Sequence, residues 1–376
     1  MRHLTKHTGA YVNDQPAAAL KEIFDRARMR RFAEDTKTIW PNFDADRFET
    51  LATAGLDDLG IMQRMRLAAD AFAATLPSDY ERALEILSAL APRIGHGFAS
   101  ITLCEFVIVR GLEDFDRSMD ALKLFTRYGS AEFAIRHFLQ HDLHRTLSMM
   151  REWSLDGNEH VRRLASEGAR PRLPWSFQLR PIVADPSLTW PILEVLKADP
   201  SLYVRKSVAN HLNDVSKDHP AWLVDRLAGW SQEQDRIRWI VRQALRTLIK
   251  KGDRAALALV GAAEKVDARV EGFAVTPPRL TLGDRLAISA TVVSQAHETQ
   301  QVVADYAVHY VKKSGAASRK VFKLKTFALD PGATQPLSIS QTIRDFTTRT
   351  HNAGFHKVEL MLNGETVAEG GFHLTL

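Results

Sequence analysis

The densest group of reactive side chains lies in Leu164–Trp175, which reads L-A-S-E-G-A-R-P-R-L-P-W. Two guanidiniums beside an indole suit contacts to phosphate combined with stacking or insertion into a groove. Gly168, Pro171 and Pro174 should stop a helix abruptly and display Arg170, Arg172 and Trp175 on an ordered loop. The alternative is a helix C-terminus whose arginines satisfy carbonyls while the tryptophan plugs a gap between repeats. Composition alone leaves both open. A second constellation is His137-x3-His141-x2-His144 along one helical face, with Asp142 nearby. Imidazoles at such spacing can bind zinc. Spread over two turns of one helix, however, the three are too far apart to meet one ion, and no metal site is expected.

Basic residues suited to phosphate are Arg162, Arg163, Arg170, Arg172, Arg205, Lys206 and Lys217. A helix over Gln234–Lys251 would add Arg238, Arg242, Arg246 and Lys250 as one stripe. Such a stripe suits a DNA surface and equally a solvated face. The fingerprints of P-loop nucleotide hydrolases, dinucleotide oxidoreductases, HExxH metalloproteases and GxSxG hydrolases are absent.

The elements that must position these residues fall into two parts. Up to about residue 268 apolar residues recur at three- and four-residue spacing. They predict helices over Ala17–Phe32 (with Pro16 at its start), Leu59–Leu76, Asp79–Leu90 and Phe115–Tyr128. From about Val270 the pattern turns β-branched and partly alternating over Leu286–Val293, Val302–Val311, Arg319–Leu329 and Phe355–Leu362. Turn chemistry at Pro277-Pro278, Lys313-Ser314-Gly315, Asp330-Pro331-Gly332 and Asn363-Gly364 separates these strands. All seven tryptophans precede residue 240. The expected architecture is an all-α HEAT-like repeat superhelix over residues 1–269, followed by an immunoglobulin-like β-sandwich over residues 270–376.

The helical part carries a degenerate repeat. Asp156-Gly157-Asn158-Glu159-His160-Val161-Arg162-Arg163 aligns with Asp199-Pro200-Ser201-Leu202-Tyr203-Val204-Arg205-Lys206, an offset of 43 residues (199 minus 156). Ile237-Arg238 would open a third, shorter copy. In such arrays the second helix of each pair lines a concave face. The alignment places Glu167 on Asn210 and Arg170 on Asn213, so these positions should face one groove.

The chain of 376 residues is long enough for two domains. Its net charge of +5 and isoelectric point near 9.2 favour a polyanionic partner only weakly. Residues 271–376 hold 11 Lys+Arg against 9 Asp+Glu, leaving 39 against 36 of the totals 50 and 45. Any basic surface must therefore come from folding. A single cysteine, Cys104, excludes an internal disulfide framework, a Cys-based zinc finger and an iron–sulfur cluster. The N-terminus is basic without a following apolar segment, and no apolar run reaches membrane-spanning length, so a cytoplasmic, non-redox protein is expected.

The segment Ser166–Trp175 resembles the S-E-G-x-R-P-R-L-P-W hallmark of the AlkC branch of AlkC/AlkD-like alkylation-repair DNA glycosylases. Ser130–Arg136, Val204–Asp214 and Lys217–Pro220 resemble further stretches of that family. The β-rich tail is similar to the immunoglobulin-like domain carried by many AlkC members. The resemblance covers essentially the whole chain. It implies excision of cationic N3-methylated bases, 3-methyladenine and 3-methylcytosine, without flipping the nucleotide into a pocket. It further implies Glu132, Glu167 and Asp214 as catalytic carboxylates. Arg163, Arg170, Arg172, Trp175, Arg205, Lys206, Asn210, His211, Lys217, Arg242, Lys312 and Lys313 are the DNA-binding set. No metal or organic cofactor is implied, and the partner is double-stranded DNA bearing alkylated bases, met by a monomer away from membranes. The rival from a different class is a non-catalytic HEAT-repeat scaffold binding a protein or structured nucleic acid.

Overall fold

A computed structural model describes residues 20–262, 265–346 and 350–376. Pro16 and the first turn of the helix expected over Ala17–Phe32, like the basic N-terminus, lie outside the described residues. The chain divides into two compact units, one ending at Ala169 and the other running from Arg170 to Leu376. The division falls inside the Ser166–Trp175 segment.

The first unit holds nine described helices: α1 (Arg26–Ile39), α2 (Ala45–Ala52), α3 (Ile61–Thr75), α4 (Tyr80–Ile94), α5 (Ile101–Gly111), α6 (Phe115–Phe125), α7 (Ile135–His141), α8 (Leu143–Trp153) and α9 (Glu159–Glu167). One device starts five of them. Asp25, Asp44, Asp79, Asp114 and Asp142 each accept the amide N–H of the arginine three residues on, at Arg28, Arg47, Arg82, Arg117 and Arg145. An N-cap carboxylate satisfies an otherwise orphaned donor and favours the positive end of the helix dipole. The apolar stripes meet in an aromatic core where Phe48 and Phe72 lie 4.4 Å apart by ring centroid.

The expected helix over Ala17–Phe32 differs most from what forms. Asp25 is extended (ψ 173°) and caps α1, which continues to Ile39. Asp142 (φ −142°) breaks the run that carries the three histidines. His137 and His141 are on α7 and His144 is on α8, so no single helical face holds all three.

In the second unit, helices α10 (Arg180–Ala184), α11 (Trp190–Leu196), α12 (Leu202–Val215), α13 (Pro220–Ala228), α14 (Asp235–Ala244), α15 (Arg246–Lys250) and α16 (Arg254–Leu259) precede eight strands. The helix expected over Gln234–Lys251 is interrupted at Leu245 (φ −83°, ψ 0°). Strands β1 (Ala268–Thr276), β3 (Arg285–Ser294) and β6 (Thr334–Thr342) form one antiparallel sheet in the order β1-β3-β6. The second sheet runs β2 (Arg279–Thr281), β8 (Glu365–Thr375), β7 (Gly354–Leu362), β4 (Gln300–Val311) and β5 (Ala317–Leu329), with β2 parallel to β8. The two inner faces bury Leu286, Ile288, Tyr306, Val308, Val358 and Phe372. Helical repeats followed by an immunoglobulin-like sandwich are thus the architecture observed.

Along β4 the even-numbered residues Val302, Ala304, Tyr306 and Val308 enter that core, so Val303 and Asp305 face outward. Both are nevertheless buried, at 6% and 3% exposure, because α14 and α15 cover this part of the sheet. Gly252 and Gly364 (φ +75° and +82°) make the neighbouring contact between backbones. A Cβ on Gly364 would lie 2.5 Å from the Gly252 Cα.

Candidate active site and nucleic-acid interface

In the first unit the family-type carboxylates converge on one guanidinium. Glu132 lies in the turn leading into α7, and Glu167 is the last residue of α9. Arg163, one turn before Glu167, donates from Nη1 to Glu132 Oε2 at 2.7 Å and to Ser130 Oγ at 2.9 Å. Its Nη2 lies 3.7 Å from Glu167 Oε1. Ser130 Oγ also donates to Glu132 Oε2, at 2.7 Å. Glu167 is 5% exposed and Glu132 half-buried. Two carboxylates are therefore held side by side by a shared donor, with water largely excluded from one of them.

The end of α9 is fixed from below. Arg136, four residues after Glu132, is fully buried and donates to the Gly168 carbonyl at 3.0 Å. Gly168 packs against α7 and α8. A Cβ there would meet Ile135 Cγ2 at 2.4 Å and Met150 Cε at 3.3 Å. The glycine of S-E-G is thus required for close packing rather than for an unusual backbone angle.

In the second unit the R-P-R-L-P-W loop is ordered by a backbone bond from Leu179 N–H to the Pro171 carbonyl. Arg172 and Trp175 are displayed, but Arg170 is not. Arg170 is 8% exposed and donates from Nε to Asp214 Oδ2 at 2.9 Å. The other carboxylate oxygen accepts from Lys217 Nζ, also at 2.9 Å. Asp214 is a buried residue inside α12. Arg172 makes a two-pronged pair with Asp218 at 2.8 and 3.0 Å. Trp175 is 65% exposed with φ +64°, a left-handed conformation that a bulky residue adopts only when its surroundings impose it.

The repeat is visible atom by atom. Arg162 Nη1 donates to the carbonyls of Asp156 and Gly157, and Arg205 Nη1 donates to those of Asp199 and Pro200. Asp156 and Asp199 each accept the amide two residues on. The arginine at this position of each copy therefore ties down its own inter-helix turn. His211 is completely buried and shares a hydrogen bond with Thr189 Oγ1, so it too is a packing residue. Asn210 accepts from Arg246 Nη2, and Asn213 donates to the Ala244 carbonyl and to Thr247. Lys206 and Lys217 remain exposed. The third copy departs: Arg238 pairs instead with Asp235, three residues earlier.

Burial lowers the pKa of His137, and among the described residues no group of three His, Cys, Asp or Glu side chains is arranged to hold a metal. No helix is long and apolar enough to cross a membrane among those residues.

Comparison with known proteins places this geometry. Residues 126–248 match the family model described as "DNA alkylation repair enzyme". Residues 269–376 match that of the "C-terminal Ig-like domain" of the uncharacterised protein YhaZ. An uncharacterised protein YhaZ of Bacillus subtilis is 38% identical over 349 residues, spanning 93% of this chain and 97% of its own. The solved structure of a Pseudomonas fluorescens alkylpurine DNA glycosylase AlkC, bound to DNA containing an abasic-site analogue, is 51% identical. It aligns over 96% of this chain and 100% of its own, with a TM-score of 0.93. The chain belongs to the AlkC-type family of alkylation-repair DNA glycosylases. The AlkC-type segments carry Glu132, Glu167 and Asp214, and the structure buries or half-buries all three. The hairpin tip of the immunoglobulin-like domain is basic: Lys312, Lys313 and Lys320 border an open depression with Tyr310 and Asn352.

Proposed function

We propose that this glycosylase hydrolyses the N-glycosidic bond of cationic N3-alkylated bases, 3-methyladenine and 3-methylcytosine, without rotating the nucleotide out of the duplex. Methylation at N3 already makes the base a good leaving group. The protein therefore needs chiefly to stabilise an oxocarbenium-like sugar and to orient a water. Carboxylates beside C1′ do both, as in glycoside hydrolysis. The observation that carries this reading is the Glu132–Arg163–Glu167 cluster, which presents two carboxylates fixed by one guanidinium and a serine hydroxyl. A pocket for an extruded base, the usual requirement of enzymes that work on nucleobases, is then unnecessary.

Glu132 and Glu167 are assigned to the sugar. Asp214, with both oxygens engaged by Arg170 and Lys217, is the third carboxylate, and it also anchors the loop that displays Arg172 and Trp175. Arg163, Arg172, Lys206, Lys217, Arg242, Lys312 and Lys313 supply charge for the DNA backbone, and Trp175 supplies a stacking face. Arg170, Arg205, Asn210 and His211 act by holding the helices that carry these groups. The DNA-bound state of the Pseudomonas relative supports a DNA partner. The test is release of free base from methylated DNA. Release lost in Glu167→Gln and kept in the wild type supports the assignment. Unaltered release removes Glu167 from the site, and no release by the wild type favours a non-catalytic scaffold.

A further inference from the structure

Within the second unit, a cavity of about 230 Å³ opens between α14–α15 and the outer face of β4–β5. Arg242, Arg246 and Lys250 line it from the helices, and Asp305 and Lys323 from the strands. Arg246 is engaged by the Gln243 carbonyl and Asn210. The side chains of Arg242, Lys250 and Lys323 make no hydrogen bond or ion pair among the described residues. Asp305, 97% buried (3% exposed), has no side-chain hydrogen bond or ion pair there either. Arg242, Lys250 and Lys323 against one carboxylate leave the cavity positive, and all three have donors to spare, whereas the charges nearest Arg246 are Asp214 and Arg170. Its volume is below the about 300–1,000 Å³ of pockets for drug-sized molecules.

We propose that this cavity is a binding site for a single phosphate group, bridging the helical layer and the immunoglobulin-like sheet. Arg242 and Lys250 reach the anion from one side and Lys323 from the other. Occupancy therefore ties the sandwich to the helices that precede it. Asp305 sets the affinity: as a carboxylate it opposes the anion, and in its neutral form it can donate to an anion oxygen. The groups facing it are Lys250 and Arg242 from the helices and Lys323 from the adjacent strand. Burial holds its pKa up at about 6. The phosphate can come from solution or from a DNA backbone. The second source rests on the DNA-repair reading, and the first does not.

The experiment has two arms, using the full chain and the variants Lys323→Gln, Lys250→Gln/Lys323→Gln and, as a control on the same strand, Lys325→Gln. In the first, Tm is followed against millimolar sodium sulfate at constant ionic strength in chloride. Sulfate is chosen because it does not titrate in the working range. A saturable rise in the wild type and the control, lost in the Lys323 variants, indicates a free-anion site, and the rise should grow between pH 7.5 and pH 5.5. In the second, affinity for an undamaged duplex is measured against salt. A slope smaller by about one for each lysine removed, with the control changing less, indicates a DNA phosphate. Wild-type indifference to sulfate together with salt slopes unchanged in both Lys323 variants, or a control that changes as much as they do, overturns the proposal. Lys323 is solvent-exposed on its strand, so the single variant remains informative if the double variant fails to fold. Base release is read separately, so failure of the glycosylase reading leaves the sulfate arm standing.

Discussion

Asp305→Asn should stabilise the protein, and the gain should depend on pH in a calculable way. Burial of Asp305 raises its pKa from the ordinary 3.8 to about 6, against the attraction of Lys250 and Lys323. Between these values the folded protein binds more protons than the unfolded chain, so the burden on stability grows as pH rises and levels off above about 6. Linkage gives a cost of about 2 kcal/mol at pH 5 and about 3 kcal/mol at pH 8. Asparagine keeps the shape and carries no charge, so it removes this cost and retains only the smaller one of burying an amide. Urea unfolding of wild type and variant in chloride buffer, at half-unit steps from pH 5 to pH 8, reads the difference. The variant should gain over the wild type by about 1 kcal/mol more at pH 8 than at pH 5. A difference that is flat with pH, or one that shrinks as pH rises, would refute the reasoning, because the carboxylate would then be paired or solvated.

Glu132→Gln and Glu167→Gln should bind lesion DNA nearly as wild type but release base slowly, since a contact realised in the transition state affects rate more than binding; equal losses in both assays would point to a structural role. Arg170→Met should cost about 3–5 kcal/mol by stranding the buried Asp214 carboxylate, less whatever Lys217 retains, and Arg170→Met/Asp214→Leu should recover much of it in urea unfolding. Gly168→Ala should destabilise by about 1–3 kcal/mol through overpacking against Ile135, read as a lower urea midpoint. Trp175→Ala should leave stability nearly unchanged and reduce excision; an unfolded variant whose residual folded fraction works at full rate would make the indole a core residue.

Much of the architecture was legible because period and punctuation agree. The strands expected over Leu286–Val293 and Val302–Val311 form within two residues of those limits, since β-branched alternation between turn residues admits few other structures. The helix limits were harder. An Asp-x-x-Arg signal marks five helix starts, yet Asp and Arg are common enough on exposed faces that the spacing is noticed only after the caps are seen. Asp25 and Asp142 lie inside stretches whose apolar periodicity runs straight through them, so periodicity alone merges two elements into one. Leu245 offers no signal of any kind: an apolar residue interrupts the basic stripe through its backbone angles.

Residue type points to several of the side chains that come together at the candidate site, but not to the partner each one takes. Arg162 and Arg205 stand 43 positions apart and were grouped with surface cations, but each spends its guanidinium on two carbonyls of its own turn. Their neighbours Arg163 and Lys206 differ again, one bound to two carboxylates and one exposed. A repeat preserves the residue that builds the repeat, whereas the next position along is left to vary. In the first copy that position carries Arg163, which reaches Glu132 and Glu167; in the second it carries a lysine facing solvent. The position proposed to act is therefore the one at which the two copies differ in environment, and no alignment of the copies by residue type would single it out.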